Sequence, residues 1–202
     1  MMDCKKALVN ADGDMEVALE ALRAKGMLTA DKKAGRKAKE GIIETYVHTG
    51  SKLGVMIEVN CETDFVAKRE EMAELAKALA MQVAACPSVE AVSEKDISAE
   101  WIEKEKAAEA MSEDLAGKPE NIVEKIVQGR IDKAIKTKLL MEQPYIRDSS
   151  MSVNDLVKSY VAKLGENIQV ARFTRFNVGE TQDDDEEEGE DFAAEVARMT
   201  GK

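Results

Sequence analysis

Between Val55 and Phe65 an apolar strand pattern runs directly into a carboxylate and an aromatic, and this junction limits the chain's folds most. Val55, Ile57, Val59 and Cys61 alternate with Met56, Glu58 and Asn60, the period-two signature of a half-buried strand. Downstream, Met72, Leu75, Leu79 and Val83 fall on one helical face. Thr63, Asp64, Phe65 and Val66 therefore occupy a strand-to-helix junction, held by regular elements on both sides but inside neither. A purely structural reading has Thr63 or Asp64 capping the helix, with Phe65 packed beneath it.

The flanking segments extend this into a fold class. Ile42–Thr49 pairs with Val55–Cys61 as a hairpin around Thr49-Gly50-Ser51-Lys52, where Gly50 can take the positive φ of a tight turn. The helix after the junction ends before Cys86-Pro87, because the residue before proline is pushed out of the helical region. A helix is expected over 98–116 with Ile102, Met111 and Leu115 toward the core and Trp101 partly covered at the surface. Pro119 opens the next helix, whose stripe is Val123, Ile126, Val127, Ala134, Ile135 and Leu139, with Pro144 as its stop. Ser152 caps a helix carrying Leu156, Val157, Tyr160, Val161 and Leu164, closed by Gly165. The last core strand, 168–178, alternates imperfectly: Ile168, Val170, Phe176 and Val178 share one face and Phe173 the other. A bulge or a strand covered on both faces would explain that. The class is α+β, with a three-stranded antiparallel sheet and several long helices.

The two ends read differently. Residues 1–26 form two short helices, with Ala7 and Leu8 on the first apolar face and Met15, Ala18, Leu19 and Leu22 on the second. Asn10-Ala11-Asp12-Gly13 separates them and Gly26 ends the second. Thr29–Glu40 is a basic linker with Lys32, Lys33, Arg36, Lys37 and Lys39. No aromatic residue interleaves these charges to stack on bases, so no direct nucleic-acid contact is assigned. Asp183–Asp191 holds eight acidic residues in nine positions, which turns a net charge of −11 into −3 for the remainder. This acidic run lacks the ligand spacing of a calcium loop and reads as a spacer before Phe192, Val196 and Met199 at helical spacing.

Chemistry on the chain itself finds few candidates. No phosphate loop, dinucleotide fingerprint or paired-cysteine motif is present. His48, the one histidine, lies at a strand end beside the hairpin turn. Cys4, Cys61 and Cys86 cannot all pair within one chain and have no metal spacing; they read as reduced thiols, one of which could cross-link a dimer. There is no 18-residue apolar run, so no membrane span is expected. No catalytic residue, metal or cofactor is assigned.

Five separated segments resemble the elongation factor Ts family in the expected order. They are MMDCKKAL, HTGSKLGVMIEVNCETDFVAK, DLAGKPENIVEKIVQGRIDK, LLMEQPYIRD and GENIQVARFTRFNVGE. The resemblance implies a translation elongation factor that is not an enzyme but a guanine-nucleotide exchange factor for the GTPase EF-Tu. It implies that Thr63, Asp64, Phe65 and Val66 insert beside the partner's nucleotide site and disturb its magnesium ion, with Met1 and Met2 as a secondary contact. The domains it implies are a partial ubiquitin-associated-like module at 1–27, the linker at 28–40, a core and dimerisation domain at 41–180, and the acidic spacer with a short helix at 181–202. The family's usual first helix precedes the MMDCKKAL motif, so a fragment or an internal start is expected. A single core copy implies a homodimer, and the compartment would be the cytoplasm of a bacterium, a chloroplast stroma or a mitochondrial matrix. The alternative from another class is a helical interaction module that binds nascent chains or ubiquitin-like surfaces.

Overall fold

In the computed structural model, which describes residues 2–115 and 118–180, the strand–junction–helix unit is the centre of the fold. Strand β1 (Glu40–Val47) and strand β2 (Leu53–Cys61) form the expected hairpin, with Gly50 and Ser51 both at positive φ in its turn. Strand β5 (Ile168–Asn177) adds antiparallel to the other edge of β2, giving the order β1-β2-β5. Val55, Ile57, Val59 and Cys61 are all buried, as their alternation requires.

Helix α4 (Glu70–Ala85) lies across that inner face. Met72, Leu75, Leu79 and Val83 are fully buried on it, against β1 and β2. Removing one such leucine side chain costs about 2–5 kcal/mol, so this stripe anchors the core. The helix ends at Ala85, before Cys86-Pro87. Arg175 then reaches from β5 to donate to the carbonyls of Val83, Cys86 and Pro87, which satisfies the helix's free end. Helix α7 (Val153–Leu164) is capped by a reciprocal Ser152–Asp155 box and closed by Gly165 in the left-handed region, as the sequence predicts.

Helices α5 (Ala99–Ala110) and α6 (Glu120–Lys138) build a second, smaller core with Ala91, Leu115, Val127, Ile131, Ile135 and Leu139. The two cores meet where residues 90–92 run parallel to 138–141. Ala91 and Leu139 face the second core, while Val92 and Leu140 face the first. Trp101 is half-buried, with the Lys138 ammonium 4.9 Å from its ring centre.

Several expectations fail for identifiable reasons. Helix α1 (Met2–Asn10) and helix α2 (Met15–Asp31) are present, but α2 passes through Gly26 and takes the first residues expected of the linker. Gly26 serves packing instead: a Cβ there would lie 3.3 Å from that of Ala162 on α7, so a larger residue would push the helices apart. Ala18 and Ala30 are the buried positions of α2, whereas Met15 and Leu19 are exposed. The expected helix over 98–116 stops at Ala110. Met111 is 85% exposed, and a short 3-10 turn at Glu113–Leu115 brings Leu115 in separately. Pro144 does not stop α6, which ends at Lys138; it opens a two-stranded ribbon of β3 (Pro144–Tyr145) and β4 (Asp148–Ser152) that no local pattern announces.

The last strand carries a bulge. Glu58 pairs with Arg172 and Val59 with Val170, which leaves Ala171 unpaired. Ile168 and Val170 point inward before it, and Phe173 and Arg175 after it. Phe176 and Val178, expected to share a face with Ile168 and Val170, are exposed. The three cysteines are free thiols, with Cys4 exposed and Cys61 buried. Among the described residues no helix is long and apolar enough to cross a membrane, and no cluster of His, Cys, Asp or Glu could hold a metal ion. Met1 and the acidic spacer with its expected helix (181–202) lie outside the described residues.

Candidate partner-binding site

The turn between β2 and α4 is one short helix, α3 (Asp64–Ala67), with Thr63 as its N-cap. Thr63 is extended, at φ −130° and ψ 154°, and its hydroxyl oxygen accepts from the Val66 N–H at 3.4 Å. Val66 turns inward and is buried, while Phe65 is 80% exposed. The purely structural reading therefore needs correcting in both parts: Thr63 caps the short α3 rather than α4, whose N-cap Arg69 makes no side-chain cap bond, and Phe65 does not pack beneath the helix. An exposed phenylalanine forgoes about 1.5–3 kcal/mol of burial, so the turn holds it out at a cost to the free chain.

Asp64 stands beside it and accepts from the Lys68 ammonium at 2.7 Å, one helical turn away. That hydrogen bond, reinforced by the opposite charge, holds the Asp64 carboxyl below the usual aspartate range and pushes Lys68 up. Both groups are open to water, so the pair contributes little to stability and can exchange partners.

Beneath the turn lies a mesh that local sequence patterns do not show. The Thr63 N–H donates to Glu166 Oε2 at 3.0 Å, and the Thr63 hydroxyl donates to Glu166 Oε1 at 2.7 Å. In the opposite direction, the Asn167 N–H donates to Glu62 Oε1 at 2.7 Å. Asn167 is itself buried, and its amide nitrogen donates to the carbonyls of Ala34 and Arg36 at 3.3 and 2.7 Å. Lys33 donates to the Gly165 carbonyl and Arg36 to Glu62. The Cys61 thiol donates to the Thr63 carbonyl; burial, with the Glu166 charge second, pushes that thiol up. The segment expected as a solvated linker is thus stitched to the same loop that holds the Thr63 cap.

Of the expected site residues, Thr63, Asp64, Phe65 and Val66 form one continuous turn. Met2 is on a different element, exposed on α1, which packs on α2. Glu62, Glu166, Asn167 and Arg36 were not singled out. Gly165-Glu166-Asn167-Ile168 does open one of the five segments, yet nothing local says what Glu166 touches.

The family model described as elongation factor TS matches residues 28–180, which span every element from the end of α2 to β5. The chain belongs to the elongation factor Ts family. It is 58% identical over 197 residues to elongation factor Ts of Synechococcus elongatus, covering 98% of this chain and 88% of the relative. It is 56% identical to that of Picosynechococcus sp. over all of this chain and 91% of the relative. The Rippkaea orientalis protein of the same name is 55% identical over all of this chain and 80% of its own length. The elongation factor Ts match includes Thr63–Val66 and Glu166 and stops short of Met1 and Met2.

Proposed function

We propose that this chain is a translation elongation factor acting as a guanine-nucleotide exchange factor for EF-Tu. Membership of the elongation factor Ts family supports the translational role. The observation that carries the mechanism is Phe65, an aromatic held out in water on a turn whose capping residue is pinned from both sides. In this reading Phe65 enters an apolar pocket of the GTPase beside its nucleotide. Asp64 leaves Lys68 for polar groups of the partner, and Val66 and Thr63 anchor the turn. The magnesium ion belongs to the partner: once its surroundings are displaced, the phosphate charges lose compensation and the nucleotide dissociates. Acceleration then comes from differential binding to two states of the partner rather than from a catalytic group on this chain.

Magnitudes demand more than one contact. Weakening a bound nucleotide by three to five decades takes roughly 4–7 kcal/mol of coupling. Burying Phe65 supplies about 1.5–3 kcal/mol, so a second surface must contribute. The α1–α2 pair, with Met2 exposed, is the proposed secondary contact.

The homodimer belongs to the same proposal. The sheet face turned away from α4 presents Ile43, Val47, Met56 and Phe176, all exposed, across three paired strands. A second copy would cover it. The relatives named above are cyanobacterial, which favours a bacterial cytoplasm or a chloroplast stroma over a mitochondrial matrix.

The test is the release of a fluorescent GDP from EF-Tu in stopped flow, with and without this chain. Release should accelerate with chain concentration and saturate. An unchanged rate at saturating chain would refute exchange activity, and binding of nascent chains or ubiquitin-like surfaces that survives mutation of Thr63–Val66 would favour the helical-module alternative.

A further inference from the structure

We propose that Glu166 is a positioning residue for nucleotide exchange: its carboxylate, acting through Thr63, holds Phe65 in the outward attitude that a partner pocket can receive. The inference rests on the reading of Phe65 given above.

Every polar atom of Thr63 is committed. Its N–H and its hydroxyl proton both go to Glu166, its hydroxyl oxygen accepts from the Val66 N–H, and its carbonyl accepts from the Cys61 thiol and the Ala67 N–H. A hydroxyl has one proton and rotates freely unless an acceptor fixes it. With the proton drawn to Glu166 at 2.7 Å, a lone pair is left facing the Val66 N–H, which is the cap bond of α3. Without Glu166 the proton can turn toward Val66 and the cap is lost for part of the time. Helix α3 has four residues and no length of its own to keep it folded, so its geometry depends on that cap.

Glu166 is well placed to be the fixed end of this arrangement. It follows Gly165 at the end of α7 and precedes β5, and Asn167 beside it is buried and bonded in three places. Among the described residues, no lysine or arginine forms an ion pair with Glu166, so both its oxygens serve Thr63. The fold does not need this link to set its register. Cys61 already pairs with Ile168 in the sheet, and Glu62 already accepts from Asn167. Removing the carboxylate should therefore loosen the turn while the sheet keeps its pairing.

The experiment measures GDP release from EF-Tu at saturating concentrations of the full chain carrying Glu166→Ala, Phe65→Ala, or both, together with amide hydrogen exchange of the free proteins. Loss of a cap of ordinary strength predicts a release rate about fivefold lower for Glu166→Ala. The double variant should be no slower than Phe65→Ala alone, because Glu166 acts only through that side chain. Amides of Thr63 and Val66 should lose protection while those of Ile57 and Val59 keep it. Glu166→Asp retains the charge and most of the volume but withdraws the oxygens by one carbon–carbon bond, so it too should slow release. It replaces Glu166→Ala if that variant does not fold. A wild-type rate for Glu166→Asp or Glu166→Ala, with Phe65→Ala slow, would overturn the positioning role and leave the Phe65 reading intact. Multiplying effects in the double variant would overturn it as well, by showing that Glu166 acts elsewhere. A wild-type rate for Phe65→Ala would remove the foundation, and this proposal with it.

Discussion

Phe65 and Phe176 are both exposed phenylalanines, at 80% and 64%, yet their surroundings differ in kind. Phe65 stands alone on a four-residue helix whose cap, preceding residue and supporting loop are hydrogen-bonded to one another. Phe176 belongs to a broad face shared with Ile43, Val47 and Met56, supported by the ladder of the sheet and crossed by the Glu58–Arg172 ion pair. A single projecting ring on a stiff turn suits a pocket and transmits force to whatever surrounds that pocket. A flat apolar face suits another flat face and offers area rather than leverage. Under the proposed function, acting on the GTPase falls to the first aromatic and assembling with a second copy to the second.

The comparison breaks most sharply on the sheet face. Met56→Glu together with Phe176→Glu buries like charge in any dimer built there, and should weaken association by at least about a hundredfold. Light scattering at micromolar concentration should then give the mass of one chain where the natural sequence should give that of two. A monomeric natural protein would rule this face out as the dimer surface. Next in size, Phe65→Ala should slow GDP release at least about tenfold while the mass and the circular-dichroism melt stay as they were. If the melt falls instead, Phe65 contributes to the fold and the contrast with Phe176 disappears. Thr63→Ala is milder: loss of the cap should lower folding stability by about 1 kcal/mol and slow release severalfold, without affecting mass.

The smallest effect lies at high pH. Burial pushes the thiols of both Cys61 and Cys86 above the ordinary value of 9.0, so the folded chain holds the neutral forms more firmly than the unfolded chain does. Their contribution is complete below that ordinary value and is lost as pH rises through the raised values of the folded state. The melting temperature should therefore decline above about pH 9, and Cys61→Ala should flatten part of the decline. A slope unchanged by Cys61→Ala would mean that other groups govern alkaline stability.

Much of the fold was legible because its signals are local. The alternation of 55–61, the stripe of α4, the turn at Gly50 and the Ser152 cap each need only a few neighbouring residues, and each is in place. Gly26 misled because its role depends on Ala162, far along the chain. Met111 misled because α5 ends before it, leaving the residue with no helical face to belong to. At the candidate site, sequence located Thr63–Val66 on a junction but could not choose between a buried and an outward Phe65. The contact proposed to make that choice comes from Glu166, 103 residues beyond Thr63, through bonds that no periodicity encodes.

The bulge at Ala171 has a consequence for how this chain can vary in length. It acts as a parity switch: every residue of β5 beyond it faces the opposite way from what simple alternation would give. A descendant that lost Ala171 would have a more regular strand with every side chain on the face it has now, since Val170 would still pair with Val59 and Arg172 with Glu58. The damaging change is the reverse one, in which Ala171 stays and pairs with Glu58: Phe173 and Arg175 would then swing outward, stripping α4 of the guanidinium that closes its end, and Phe176 would be driven inward against α4. A one-codon deletion at Ala171 is thus absorbed by the bulge itself without turning a side chain over, whereas adding a second residue there would have to be accommodated by a larger bulge or by that slip. Among relatives, loss of residue 171 should accordingly be tolerated, while length changes at the paired positions on either side of it should be avoided.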